Sequence, residues 1–408
     1  MRSIKCFLLV LLLTLTGLAA FAAPLLQAGD RMVFLGDSIT QQQIYTRYVM
    51  NYFALRYPGV NIAFRNAGWG GDTAPGGLGR LQRDVLNLKP TVVSICFGMN
   101  DGHYSKFDQP SCDRYLTSMT GLVAKLKEVG VKVILLTPGC VDTDKRPSAK
   151  GDDWTYNDTL AKYGDGVKEL ATKENQPFYN LHALMLDVQT KAKAENPQFT
   201  MIPDGVHPTN AGHAIMAYAL LKALGCDEQA SGLEIDAVKS VSKPDRCRVS
   251  DLKVADTTLT FTRTDKALPT CFDPDVAQVT KYFPLMDELN QYQFKVTGLK
   301  AGNWKLTVDN IEVGTFSDTE LAAGVNLATK PGPWQVLGKQ VNTDSLAAES
   351  LYFTTWRSFS LNAVPKEAEP ELKALLDKLN GLLDTQEKTR QLEAAEHPWK
   401  WSLTLAAK

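Results

Sequence analysis

Four short segments of this sequence carry polar side chains at spacings that suit acyl-transfer chemistry. Asp204-Gly205-Val206-His207-Pro208 sets a carboxylate three residues before an imidazole. Within one turn the two can lie side by side, so that the aspartate fixes the histidine tautomer and stabilises the imidazolium form. Gly36-Asp37-Ser38-Ile39-Thr40 follows an apolar run and puts a hydroxyl at a strand-to-helix turn, where helix N–H groups point toward a ligand. Gly98-Met99-Asn100-Asp101 closes a second apolar run and offers an amide that can donate to a developing oxyanion. Asn66-Ala67-Gly68-Trp69-Gly70-Gly71-Asp72-Thr73 supplies glycines whose backbone amides can approach a ligand closely.

Each segment has an ordinary structural alternative when read alone. Ser38 could be a helix cap, Asn100 a turn residue and the glycine run a tight turn. The glycine run lacks the G-x-G-x-x-G spacing on the first strand, which removes a dinucleotide loop. His207 and His213 lie six residues apart, which does not match the helical H-E-x-x-H pattern, and no cysteine or acidic cluster completes a metal site.

The elements that must position these groups alternate between short β-rich runs and longer helical patterns from Arg31 to about Gly225, the signature of a parallel sheet covered on both faces. Strands are expected at Met32 to Leu35, Asn61 to Phe64, Thr91 to Phe97, Val131 to Thr137 and Pro177 to Asn180. Ile44, Tyr48, Tyr52 and Leu55 share one helical face, as do Tyr115, Met119, Leu122, Val123 and Leu126; these stripes are core. Such a sheet places its ligand groove at the carboxyl ends of its strands. After Gly225 alternating segments at 252–262, 292–299 and 304–308 read as a small β-rich appendage. From Pro370 to Leu383 the leucines 372, 375, 376, 379, 382 and 383 repeat as in an amphipathic helix that buries one face.

Taken together, the four ordered blocks resemble the SGNH hydrolase family, the GDSL-type esterases and lipases, over roughly residues 30 to 224. Ile39 stands where the family's name has leucine. The resemblance implies a flavodoxin-like α/β fold, a three-layer parallel sheet, with a β-rich plus helical C-terminal region outside it. It implies Ser38 as nucleophile, Asp204 and His207 as the other triad members, and Ser38, Gly71 and Asn100 as oxyanion donors. Gly71 is preferred to Gly68 and Gly70 because it precedes a short polar residue and a threonine. Ser38 is outside the G-x-S-x-G elbow of α/β-hydrolases, so a different scaffold reaches the same chemistry. No metal or organic cofactor is needed for it.

Length and composition agree with a globular protein of one large or two moderate units: 408 residues, 44% of them hydrophobic. The net charge of -1 gives no field favouring nucleic acid. Arg2 and Lys5, the apolar run to Ala20 and the pattern Ala20-Phe21-Ala22 predict a signal peptide cleaved near Ala22, with the mature protein secreted or periplasmic and without a membrane span. The expected division is signal peptide 1–22, hydrolase domain 23–225 and appendage 226–408. Six cysteines remain beyond Cys6 and permit up to three disulfides, of which Cys226, Cys247 and Cys271 could contribute one bridge. Cys96, inside an apolar run, reads as a buried free thiol. The resemblance implies a small-molecule or glycan ester as partner. Trp69 could stack on a sugar ring beside the oxyanion turn, and the polar loop from Gly139 to Trp154 offers no apolar lid for long acyl chains. By analogy with exported relatives, acetylated carbohydrate leads, ahead of longer acyl esters or thioesters and of a non-catalytic glycan-binding or surface role.

Overall fold

The computed structural model describes residues 24–150, 152–226, 229–361, 365–394 and 396–406. The expected signal peptide, with Cys6, lies outside the described residues. Five parallel strands form the first sheet: β1 (Arg31–Gly36), β2 (Ala63–Gly68), β3 (Val92–Cys96), β4 (Lys132–Leu136) and β5 (Phe178–Tyr179), in the order β2-β1-β3-β4-β5. This is the flavodoxin-like order, and the chain reverses direction across the sheet between β1 and β3, where ligands bind in such folds. Strands β1 and β3 are buried almost end to end, which is why they read as continuous apolar runs and not as alternating ones.

Helices cover both faces: α1 (Ser38–Gln41), α2 (Ile44–Arg56), α3 (Ala74–Asp84), α4 (Gln109–Glu128), α5 (Tyr156–Glu174), α6 (Leu181–Glu195) and α7 (Asn210–Ala223). The stripe predicted on α4 is core, with Tyr115, Met119, Leu122, Val123 and Leu126 all buried. Helix α2 is buried on every side, Ile44 alone being partly open. Of its stripe, Ile44, Tyr48 and Tyr52 pack in the core that includes the parallel sheet, whereas Leu55 joins the core of the C-terminal region, which also bonds Arg47, Tyr48 and Asn51.

That region holds two further sheets. The strands are β6 (Gln229–Asp236), β7 (Val241–Asp245), β8 (Cys247–Ala255) and β9 (Thr258–Asp265); then, after the short α8 (Leu285–Leu289), β10 (Gln291–Thr297), β11 (Asn303–Val308) and β12 (Ile311–Ser317). Helix α9 (Asp318–Ala323) leads to β13 (Val325–Asn326), followed by two long helices, α10 (Pro333–Leu361) and α11 (Glu369–Glu393), and a last strand, β14 (Pro398–Leu405). The orders are β13-β10-β6-β7 and β12-β11-β14-β9-β8. Trp304, Trp334, Trp401, Tyr292 and Phe294 fill the core of this region.

Two sequence expectations are corrected. The chain does not close on an amphipathic helix: α11 is followed by β14, which enters the sheet between β11 and β9. The buried side of α11 starts apolar with Leu383 and continues through Glu387, Arg390 and Gln391, whereas Leu375 and Leu382 are exposed. Its leucines are therefore only partly a core face, because the helix ends against backbone. Glu387 accepts from Phe64 N–H at 3.2 Å, and Gln391 exchanges bonds with the Ile62 peptide at 3.4 and 3.1 Å. These side chains satisfy the outer edge of β2, which would otherwise be an open sheet edge. Nor are there disulfides among the described cysteines. Cys96, Cys112, Cys140, Cys247 and Cys271 are free thiols in buried positions, and Cys226 is buried too. The region after 225 packs closely on the first, with Val276, Val279, Phe283, Leu285 and Leu289 joining the core that covers α2 and α7. No described helix is long and apolar enough to cross a membrane.

Candidate active site

The ends of β1, β2 and β3 bring three of the four blocks together. After β1, Asp37 caps α1 by accepting the Ile39 N–H at 3.0 Å; burial pushes its carboxyl up to about 7. Ser38 opens the helix, so its own N–H has no intrahelical acceptor. Its Oγ lies 2.9 Å from His207 Nε2. The fourth block reaches it from the loop before α7.

Within that block Asp204 Oδ1 accepts the N–H groups of Val206 and His207 at 2.9 and 2.7 Å, and Oδ2 lies 2.7 Å from His207 Nδ1. Gly205 makes the turn at φ +85, and a Cβ there would meet Arg146 at 2.7 Å. Partial burial raises the Asp204 carboxyl, but the His207 and Val206 hydrogen bonds outweigh it and hold the group below the usual carboxylate range. An ionised carboxylate only accepts, so Nδ1 carries the proton and Nε2 is left to accept from the Ser38 hydroxyl.

In the glycine block two of the three glycine N–H groups that could serve as donors are engaged. Gly68 N–H donates to Asn66 Oδ1 at 2.9 Å and Gly70 N–H to Gln41 Oε1 at 2.6 Å. Gly71, at φ +73, has an N–H with no acceptor among the described residues. Asn100 donates from Nδ2 to Asp72 O at 2.9 Å and accepts at Oδ1 from the Tyr104 hydroxyl at 2.9 Å, which holds its amide against the Gly71-Asp72 turn. Asp101 accepts from Ala74 N–H and Gly98 N–H at 2.9 and 3.0 Å, tying the second block to the third, and burial lifts its carboxyl to about 7.

Two contributors escaped the sequence reading. Arg80, buried on α3, bonds Asp72 at 2.7 Å and Gly36 O at 3.1 Å, clamping the Gly71-Asp72 turn to the end of β1. Tyr104 follows Asn100 by four residues, a spacing that gave no signal without the loop conformation. Trp69 is half-buried, with the Arg357 guanidinium 3.4 Å from its ring centroid and Trp356 edge-on at 5.7 Å. One face that was a candidate for sugar stacking is therefore used for packing against α10. The loop from Gly139 to Trp154 is polar as expected, and its Arg146 lies 3.8 Å over the Tyr104 ring. His213 stands apart from His207: it is fully buried, bonded to Gln42 Oε1 at 2.9 Å and stacked with Tyr45.

A hydroxyl, an imidazole and a carboxylate in series, next to unengaged N–H donors, can activate an oxygen nucleophile and hold a tetrahedral oxyanion. Comparison with known proteins agrees with that chemistry. Residues 34–215 match the GDSL-like Lipase/Acylhydrolase family. An acetylxylan esterase of Geobacillus stearothermophilus is 28% identical over 225 residues, covering 48% of this chain and 95% of that protein. An isoamyl acetate-hydrolyzing esterase of Saccharomyces cerevisiae is 24% identical over 210 residues, covering 48% of this chain and 86% of that protein. Among solved structures, a gut microbial diltiazem-metabolizing enzyme superposes with a TM-score of 0.79 at 25% identity, over 93% of this chain and 98% of its own. That likeness takes in the C-terminal region as well as the parallel sheet. Residues 34–215 thus form a domain that matches the GDSL-like lipase/acylhydrolase family, and the chain is a carboxylic ester hydrolase.

Proposed function

We propose that this esterase works through an acyl-enzyme on Ser38 and removes acetyl groups, with acetylated carbohydrate as the leading substrate class. The carrying observation is the series Ser38 Oγ, His207 Nε2, His207 Nδ1, Asp204 Oδ2, with contacts of 2.9 and 2.7 Å. His207 takes the Ser38 proton as the oxygen attacks the ester carbonyl. The N–H groups of Ser38 and Gly71 and the Asn100 amide receive the negative charge of the tetrahedral intermediate. His207 then returns the proton to the departing alcohol, and water, activated the same way, releases the acid. No step calls on a metal or organic cofactor.

The acetyl preference is supported by two relatives named for acetate esters and by the polar loop beside the site. The structural relative described as diltiazem-metabolizing places that compound in the substrate panel. The division into a hydrolase unit to about residue 225 and a C-terminal unit beyond it belongs to the same proposal, as does export by the N-terminal segment.

Ser38→Ala tests the site. It is expected to fold normally and to lose ester hydrolysis by several orders of magnitude, and a fluorophosphonate adduct on the unsubstituted protein should map to Ser38. Turnover retained above about 10% would remove Ser38 as nucleophile. Acetate release from acetylated xylo-oligosaccharides, compared with cleavage of long-chain esters, tests the substrate class; a preference for long chains would overturn it.

A further inference from the structure

Helix α10 belongs to the C-terminal region, yet the face it turns to the parallel-sheet domain is a row of polar and aromatic groups at helical spacing: Asn342, Ser345, Glu349 and Trp356. Asn342 accepts from Arg47 and Asn51 at 2.9 and 2.8 Å, and Ser345 donates to Asn51 at 2.7 Å. Trp356 donates to Asp84 at 3.2 Å. Glu349, fully buried among them, accepts at Oε1 from the Thr46 hydroxyl at 2.6 Å and from Asn66 Nδ2 at 3.3 Å.

Asn66 is the first residue of the glycine block, and its amide joins two parts of the site. Nδ2 donates to Thr40 O at 2.7 Å, on the short helix that Ser38 opens; Oδ1 accepts the Gly68 N–H at 2.9 Å, three residues before Gly71. The remaining Nδ2 hydrogen is shared between Thr46 Oγ1 at 3.2 Å and Glu349. The strand end and α1 are in close contact here, since a Cβ on Gly68 would lie 2.2 Å from Gln41 N. A small rotation of the Asn66 amide therefore moves the nucleophile helix relative to the oxyanion turn.

We infer that Glu349 is a positioning residue for the reaction: from the C-terminal region it fixes the orientation of Asn66, and through Asn66 the spacing between Ser38 and the Gly71 donor. It draws the Thr46 hydrogen to itself, leaving the Thr46 oxygen as an acceptor facing the Asn66 amide. Two helical turns further on, Trp356 and Arg357 pack on Trp69, so α10 holds the glycine block at two points, Asn66 and Trp69. The C-terminal region is on this account part of the catalytic apparatus. The inference rests on the assignment of Ser38 and the Gly71 donor made above.

The test uses the full chain with Glu349→Gln, which keeps an acceptor, and Glu349→Met, which fills the space without one. Glu349→Gln should retain at least about half of the activity. Glu349→Met should lose about tenfold or more in kcat, with KM changed by less than about twofold, because displacement of reacting groups by a fraction of an ångström is costly even when its origin is remote. Its rate of phosphonylation by a fluorophosphonate should fall in parallel. A folded Glu349→Met with a lowered melting temperature but wild-type kcat well below that temperature would reduce Glu349 to interdomain adhesion and overturn the inference. If Glu349→Met does not fold, Thr46→Val interrupts the same chain of bonds from the other side, and a folded Thr46→Val with wild-type kcat would overturn it equally. An active Ser38→Ala would overturn the underlying site assignment as well; an inert one, with unchanged kcat in Glu349→Met, would overturn the positioning role alone.

Discussion

The Tyr104 hydroxyl donates to Asn100 Oδ1 across 2.9 Å, and this bond decides which end of the Asn100 amide faces the Gly71-Asp72 turn. With its oxygen engaged, the amide can only present nitrogen to Asp72 O and to a developing oxyanion. The loop accepts strain to make the contact, since His103 and Tyr104 sit at φ +52 and +55, a region non-glycine residues rarely occupy. Tyr104→Phe should therefore lower kcat by about 3- to 30-fold, less than the roughly 100- to 1,000-fold expected for Asn100→Ala, with KM little changed. In an Asn100→Ala background the same change should cost nothing further, because the two act as a unit. Wild-type kcat in Tyr104→Phe, or additive losses in the double variant, would show that Asn100 needs no such support.

Asp204 does two things at once, and one substitution separates them. Oδ1 shapes the loop by accepting two backbone N–H groups, and Oδ2 orients His207. In Asp204→Asn the side-chain oxygen can keep the loop, but an NH₂ then meets Nδ1 and favours the tautomer that cannot accept from Ser38. Turnover should fall by on the order of 10³- to 10⁴-fold, while the melting temperature hardly moves because the Asp204 side chain is more than half exposed. A large drop in melting temperature with modest kinetic loss would make Asp204 a loop residue first.

Two of the four blocks were legible because they sit where apolar runs stop, whereas the glycine block begins inside β2. Val92 to Cys96 and Arg31 to Gly36 are buried nearly throughout, so their boundaries show in composition, and chemistry-bearing residues follow directly. Gly71 could be separated from Gly68 and Gly70 in sequence only by resemblance; in the structure the separation is physical, since the other two N–H groups are already bonded.

Helix α10 was not legible for a related reason. The search for helices looks for an apolar stripe, and the face α10 buries carries Asn342, Ser345 and Glu349 against Arg47, Asn51 and Thr46. A helix whose inner face is hydrogen-bonded reads as a surface segment. The same substitution of polar for apolar contact explains α11, whose Glu387 and Gln391 serve the edge of β2. The cysteines misled in the other direction: an even number suggested bridges, but each packs as a small buried side chain.

His213 gives the clearest pH-dependent consequence for stability. Burial pushes its imidazole down to about 3, with the positive charges of Arg47 and His207 acting in the same direction, so the folded protein holds it neutral. Between about 3 and the ordinary value of 6.5 the unfolded chain binds a proton that the folded chain refuses. The contribution of His213 is thus fully present above about 6.5 and is lost as the pH falls, by about 1.4 kcal/mol per pH unit. Asp37 and Asp101 work oppositely: their folded values near 7 make the folded state the stronger proton binder, so acid relieves a penalty at those positions. A single acid-denaturation curve would mix the two signs. Comparing the protein with His213→Gln removes the shared terms, because both carry Asp37 and Asp101. Gln can still donate to Gln42, while the stacking on Tyr45 is lost, so the unsubstituted protein should be the more stable at pH 7.5. That advantage should shrink by roughly 2 kcal/mol on going to pH 5, read as urea-unfolding free energies at each pH. A gap that stays constant between pH 7.5 and 5 would mean that the folded protein protonates His213 as readily as the unfolded chain does, contrary to its enclosure.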